Sequence, residues 1–358
     1  MKVLFLPNWK VEYSLKAPSD KQPPDYYVES EPYWFFRYFD EKPEVDVLDV
    51  HSCKWLESFE KNKIRFYIWQ ALRAIPKLGR YDLIVSHGMQ SGVVISLWRR
   101  LFKTKARHIV FDIGAFNSAS ESGFALKLMQ FASKSLDYVI YHTSNQRHYY
   151  EKFFPWIVDK SQFIRFGTDA DFFAKQEDCL IEHEEEKKPF CICVGYSKRD
   201  WNTVIKAFQM ANANNLRLKL VGHVNPAYED IPGVEQIGFI PIRDLMQEIR
   251  RAKFSILPLL SFNYSYGQMT LMQQMALGKC VIVAKVPSLV DYMEDGVTTL
   301  VYEPKNFRQL ADLINKVNND EALRNSIGEN ARKFICNECN EKIMAKEIEA
   351  VLNRTMEK

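Results

Sequence analysis

The sequence predicts an α/β protein with two doubly wound, Rossmann-like domains facing across a cleft. Three observations predict it. Apolar runs of strand length alternate with helically spaced segments along most of the chain, which implies parallel sheets covered by helices on both faces. The alternation stops once, in a charge-rich, apolar-poor stretch from Lys175 to Lys188, and restarts at Pro189. The length, 358 residues, exceeds one typical core and suits two. The expected division is a first domain over 1–170, a charged linker over 171–188, a second domain over 189–338, and a terminal helix over 339–358 that packs back on the first domain.

In the first half, strands are expected at Lys2–Leu6, Val45–Val50, Tyr81–His87, His108–Asp112, Tyr138–His142 and Phe163–Phe166. Helices are expected at Lys63–Ile75, Gly92–Phe102, Ala125–Ser135 and Asn145–Phe153. Pro7–Tyr38, with its prolines and clustered aromatic residues, reads as a surface loop followed by a helix near Glu31–Phe39. In the second half, strands are expected at Phe190–Gly195, Leu216–Gly222, Val234–Gly238, Phe254–Leu260 and Cys280–Ala284. Helices are expected at Trp201–Ala213, Ile242–Arg251, Leu310–Val317, Asp320–Phe334 and Glu341–Asn353, besides a short one between the last two strands.

Composition excludes several classes. A formal net charge of +3 gives no general argument for nucleic-acid binding. The N-terminal apolar run is too short for a secretory signal, and no stretch approaches the about 18 apolar residues of a membrane span. The expected location is cytoplasmic, with peripheral contact at the inner face of a membrane. Seven cysteines, several inside strand-like runs, read as small buried hydrophobes. Cys336 and Cys339 have metal-ligand spacing but no second pair.

Polar residues gather where such sheets bind ligands, at strand ends. In the first domain these are His87, Asp112 and His142; in the second, Gly195–Arg199, Gly222–His223 and Ser265–Thr270. Ser265 and Gln268 are spaced as a capping box, with Ser265 as the cap. The amides of Gly267, Gln268 and Met269 would then face outward as an anion site. Gly278 is placed to end that helix. Lys198 and Arg199, a point charge beside a bidentate fork, complete a diphosphate clamp. Neither a P-loop nor a dinucleotide glycine fingerprint is present.

In order and spacing, these pieces resemble the retaining glycosyltransferases of family 4 (group 1), which have the two-domain GT-B fold. The resemblance runs from Phe163 to Arg332. It rests on Phe163–Asp169, the basic loop Gly195–Arg199, Leu220–Gly222, Val234–Gly238, Gly267–Lys279, Asp295–Gly296 and Tyr302–Pro304. It implies transfer of a sugar from a nucleotide-diphosphate donor to a glycan, lipid-linked or small-molecule acceptor. It implies Gly195, Lys198, Arg199, Ser265, Tyr266, Gly267, Gln268, Met269, Thr270 and Gln273 as the donor site, and no cofactor or obligatory metal. The family's two motif glutamates fall on Ser265 and Gln273, and its motif histidine falls on Phe111. Asp112 and His87 are therefore the catalytic candidates. Alternatives are a nucleotide-sugar epimerase or a phosphorylase of the same fold, or a non-catalytic binding relative, which the missing glutamates motivate.

Two further segments carry expectations. Trp98–Arg107, basic with interleaved apolar residues, suits an anionic membrane surface. The Pro7–Tyr38 segment is the acceptor-side candidate, through Tyr33 and Trp34.

Overall fold

The computed structural model describes residues 1–18, 20–174, 188–213 and 215–357, so residues 175–187 of the expected linker lie outside it. The chain forms two compact units. The first comprises Met1–Arg165, Asn263–Tyr266 and Lys342–Lys358; the second comprises Phe166–Phe262 and Gly267–Glu341. The first boundary thus falls at Arg165 rather than at 170. Residues 171–174 are not linker but the end of a helix, Ala170–Ala174, in the second unit.

In the first unit the strands are β1 (Lys2–Leu6), β2 (Glu12–Ser14), β3 (Tyr26–Val28), β4 (Glu44–Val47), β5 (Leu83–His87), β6 (Arg107–Asp112), β7 (Tyr138–Tyr141) and β8 (Ser161–Phe163). Six of them make a sheet in the order β4-β1-β5-β6-β7-β8, and β2 and β3 form a separate ribbon. Every pairing is parallel. β5 is buried along its whole length, as expected for a strand with helices on both faces. The order reverses between β1 and β5, which puts a ligand crevice beyond Leu6 and His87.

The second unit holds β9 (Phe190–Val194), β10 (Arg217–Val221), β11 (Val234–Ile237), β12 (Ser255–Leu257), β13 (Val281–Ala284) and β14 (Leu300–Tyr302). Their order, β11-β10-β9-β12-β13-β14, is the 3-2-1-4-5-6 arrangement of dinucleotide-binding sheets. Its switch point lies between β9 and β12. Cys191 and Cys193 are fully buried inside β9, and burial pushes the Cys191 thiol up to about 12. Among the described residues no His, Cys, Asp or Glu cluster of three or more could hold a metal ion.

Besides the last strand of the first sheet, which runs Ser161–Phe163 rather than Phe163–Phe166, three expectations about local structure change. Pro7–Tyr38 is not a surface loop with a helix. It contains the β2–β3 ribbon and a 3-10 turn, Trp34–Tyr38, and Trp34, Phe35 and Phe36 are all buried. Three consecutive buried aromatics cannot share the inner face of an α-helix, whose period sends one of them outward. They pack edge-on around Phe5, at 6.1, 6.2 and 5.9 Å between ring centres. Tyr33 is buried too, and its hydroxyl donates to the Pro24 carbonyl at 2.7 Å. Tyr33→Phe is accordingly expected to cost about 1–2 kcal/mol of stability in urea denaturation, by orphaning that carbonyl. A substitution at Tyr33 or Trp34 acts on the core rather than on an exposed acceptor surface.

The second change is at Lys63–Ile75, which is not one helix. A wide turn at Glu60–Ile64 ends on Arg65 at φ 63°, and a new helix runs from Ile68 to Ala74. The buried Glu60 carboxylate accepts the Trp69 amide at 2.7 Å and so supplies the second helix with its cap. Third, β12 is shorter than the apolar run Phe254–Leu260, because Pro258 carries no amide for the ladder.

The terminal helix, Glu341–Met356, belongs from Lys342 onward to the first unit. There the Glu349 carboxylate accepts the amides of Asp40 and Glu41, both at 3.1 Å, and Arg354 donates to Gln162 at 2.6 Å.

Candidate functional site

At the switch point of the second sheet, the loops that follow β9 and β12 are stitched together by their backbones. The Leu260 amide donates to the Lys198 carbonyl at 3.0 Å and the Asp200 amide to that of Pro258 at 2.8 Å. Gly195 follows β9 at φ 118°, and a Cβ there would stand 2.4 Å from Arg199 Nη2. Glycine is what lets the guanidinium lie across the strand end. Arg199 donates Nε to the Val194 carbonyl (2.9 Å), Nη1 to the Ser197 carbonyl (2.9 Å) and Nη2 to Thr270 Oγ1 (3.1 Å). It therefore joins the end of β9 to the first turn of the helix Gln268–Ala276. Lys198 sits at φ 58°, with its ammonium 5.3 Å from the centre of the Phe262 ring.

The start of that helix differs from the expected capping box. Ser265 is not the cap. The cap is Gly267, at φ 83° and ψ −15°, with no side-chain hydrogen bond. A Cβ on residue 267 would lie 2.6 Å from a Leu259 methyl, so the chain can turn there only as glycine. Gln268 is the first helical residue, not the third. Its side chain is buried and donates to the Ser288 carbonyl at 2.8 Å. The outward amides of the first turn are those of Gln268, Met269 and Thr270, since the first helical bond runs from Leu271 to Gly267. Gly278 ends the helix as expected, at φ 69°, with Gly278 bonded to Met275 and Lys279 to Gln274 in a Schellman motif.

Gly195, Lys198, Arg199, Gly267, Gln268, Met269, Thr270 and Gln273 thus all lie in the second unit, while Ser265 and Tyr266 group with the first. Gln273 is buried.

In the first unit, Asp112 and His87 end neighbouring strands but sit in unlike surroundings. Asp112 is buried, and its oxygens are taken: Oδ1 accepts the amides of Gly114 (3.1 Å) and Phe116 (2.8 Å), and Oδ2 accepts the Tyr150 hydroxyl (2.6 Å). Burial pushes its carboxyl up to about 6 against the pull of these hydrogen bonds. It anchors a turn, Ala115–Ser118, in which Ala115 and Phe116 have positive φ. That is a positioning geometry, and it removes Asp112 from first place among the catalytic candidates.

His87 lies at the switch point itself. Its ring is buried beside Trp9 (4.7 Å between centres), Trp34 (5.7 Å), Phe111 (5.9 Å) and Phe5 (6.4 Å). Neither ring nitrogen has a hydrogen-bond partner among the described residues. Burial and the neighbouring His142 push its pKa down to about 3, so the imidazole is neutral near neutrality. A neutral imidazole offers one donor and one acceptor to whatever enters the crevice. Trp9 and Asn8 were not among the candidates. They follow β1 on the other side of the same switch point, and Asn8 Nδ2 donates to Gln90 at 3.2 Å. Their place directly after the first strand was the available signal.

Residues 176–334 match the family of glycosyl transferases group 1. A capsular polysaccharide biosynthesis glycosyltransferase, CapM of Staphylococcus aureus, is 34% identical over 88 residues, which cover 25% of this chain and 23% of that relative's length. Among solved structures, Anabaena Alr3699/HepE in complex with UDP superposes with a TM-score of 0.68 at 15% identity, covering 99% of this chain and 100% of that one. Sucrose-phosphate synthase from Thermosynechococcus elongatus gives 0.68 at 17% identity and 99% of both chains. The fold is of the GT-B type.

Proposed function

We propose that this protein is a glycosyltransferase that moves a sugar from a nucleotide-diphosphate sugar to a glycan, lipid-linked or small-molecule acceptor, with retention of anomeric configuration. The observation that carries the reading is the join at the second sheet's switch point. There Arg199 bridges the end of β9 to Thr270 in the first turn of a helix whose opening amides face outward. The match of residues 176–334 to group 1 glycosyl transferases supports the same assignment.

As the glycosidic bond breaks, negative charge grows on the departing diphosphate. Arg199, Lys198 and the amides of Gln268, Met269 and Thr270 stabilise that charge from fixed positions. The two cations fill the role a metal would otherwise take. The acceptor hydroxyl attacks from the same face and passes its proton to the leaving phosphate, which accounts for retention. The neutral His87 serves as a hydrogen-bonding contact to substrate and Asp112 as a positioning residue.

A thermal-shift panel of nucleoside diphosphates and their sugars tests the proposal, beginning with UDP and UDP-glucose because the Anabaena neighbour is solved with both. One of them is expected to stabilise the protein by about 2.7 kcal/mol at a hundredfold excess over Kd. The anomeric signal of the product, followed by NMR, reads retention. A panel without any shift would overturn the proposal.

A further inference from the structure

The first unit carries an apolar, basic face that the proposed transfer does not use. The helix Met89–Leu101 packs against the helix Gly123–Ser133, and Arg100 lies 5.0 Å from the centre of the Phe131 ring. Around this contact Leu101 is 70%, Phe102 50%, Phe124 79% and Phe131 46% exposed. A single exposed apolar side chain needs no account, but four on two adjoining helices and the residue just past one of them mark a contact surface. Phe124, Leu128 and Phe131 recur at helical spacing, so the second helix turns a stripe outward.

Lys127 lies three residues from Phe124 and four from Phe131 on the same helix, Lys134 follows at its end, and Arg100, Lys103 and Lys105 flank Leu101 and Phe102 in sequence. None of these cations pairs with a carboxylate among the described residues, although Arg100 stacks on Phe131 and Lys134 on Trp156. The carboxylates nearest in sequence are already neutralised. Glu121 pairs with Lys152 at 2.9 Å, and Asp137 with Arg99 at 2.7 Å and Arg107 at 3.2 Å. The surface therefore combines exposed aromatic side chains with cations that no carboxylate among the described residues neutralises.

We propose that this face docks onto an anionic lipid bilayer. The phenylalanines and Leu101 enter the boundary between headgroups and acyl chains, and the lysines meet the lipid charge. Among the described residues no helix is long and apolar enough to cross a membrane, so the contact is interfacial. A second copy is a poor occupant, because a two-fold pairing of this face would set like charges against each other. The proposal uses no residue of the nucleotide site and stands whether or not the transfer reading does.

Co-sedimentation of the full chain with vesicles tests it. The protein is expected to pellet with phosphatidylcholine–phosphatidylglycerol vesicles, to stay in solution with pure phosphatidylcholine, and to be released by salt. Lys103→Gln and Lys105→Gln are each expected to lower the partition coefficient about fivefold. Phe124→Ser and Phe131→Ser lower it as well, and because Phe124 is 79% exposed, Tm stays unchanged in Phe124→Ser. Equal binding by the lysine or phenylalanine variants would overturn the proposal, as would no binding to anionic vesicles. A wild-type dimer in solution that Phe124→Ser dissociates would also overturn it, by making a second copy the occupant.

Discussion

Arg199→Ala is expected to abolish the thermal shift given by the cognate nucleoside diphosphate and to lower kcat/KM by about 10²–10³-fold, the loss typical of removing one preorganised donor to a developing charge. The substitution also touches the fold. Arg199 donates to the carbonyls of Val194 and Ser197 and to Thr270 Oγ1, and it fills the space against Gly195 where a Cβ would otherwise sit. Removing it leaves the Val194 carbonyl without that donor and costs about 1–3 kcal/mol of stability. Two companion variants separate the roles. Thr270→Val removes one acceptor and keeps the charge, so the nucleotide shift should survive with a loss of about 1 kcal/mol in stability. Arg199→Lys keeps the charge but loses the planar fork that spans three acceptors, so it should bind nucleotide weakly and fold less stably than wild type. A full nucleotide shift in Arg199→Ala would show that the strand–helix join is architecture without a ligand.

The residues legible from sequence are those whose role is set by local pattern. β9 is buried on both faces, so it appears as an unbroken apolar run that even its cysteines fit, and β5 opens on the apolar run Leu83–Val85 before its polar end. Gly278 was legible because a Schellman motif needs a left-handed residue just past the last helical turn. The other end of the same helix was not. Ser265 and Gln268 satisfy the capping-box spacing, but the real cap is chosen by Leu259, which leaves room only for a glycine. Tyr33–Phe36 misled for a related reason: a dense aromatic run has no period, and its burial depends on Phe5 in a strand far away in sequence. Asp112 and His87 look equivalent as polar strand ends. They part only when the Gly114 and Phe116 amides and the Tyr150 hydroxyl are seen to consume one carboxylate, while aromatic rings enclose the imidazole.

His87→Phe is expected to remove part of the acid sensitivity of folding while impairing turnover. The folded-state pKa of His87 lies at about 3, below the ordinary 6.5, because burial disfavours the charged ring. Above pH 6.5 the histidine is neutral in both states and contributes no pH dependence. Below 6.5 the unfolded chain binds a proton that the folded chain refuses, so stability falls as pH falls. At pH 5 that amounts to about 2 kcal/mol for His87, at 1.36 kcal/mol per pH unit. His142, held down to about 4 by burial, and His108, held well below the ordinary value by burial, add falls of the same sign. Asp112 opposes them: its folded pKa is raised to about 6, so acidification from pH 7 to 5 relieves about 1 kcal/mol. The histidines win, and wild type is expected to be less stable at pH 5 than at pH 7 in urea denaturation. In His87→Phe the loss over that interval should shrink by about 2 kcal/mol. If the neutral ring meets substrate as proposed, turnover in the variant drops while the nucleotide shift, set by the other unit's residues, persists. An unchanged acid sensitivity would mean that His87 protonates freely in the folded state, which is incompatible with the dry aromatic enclosure made by Phe5, Trp9, Trp34 and Phe111.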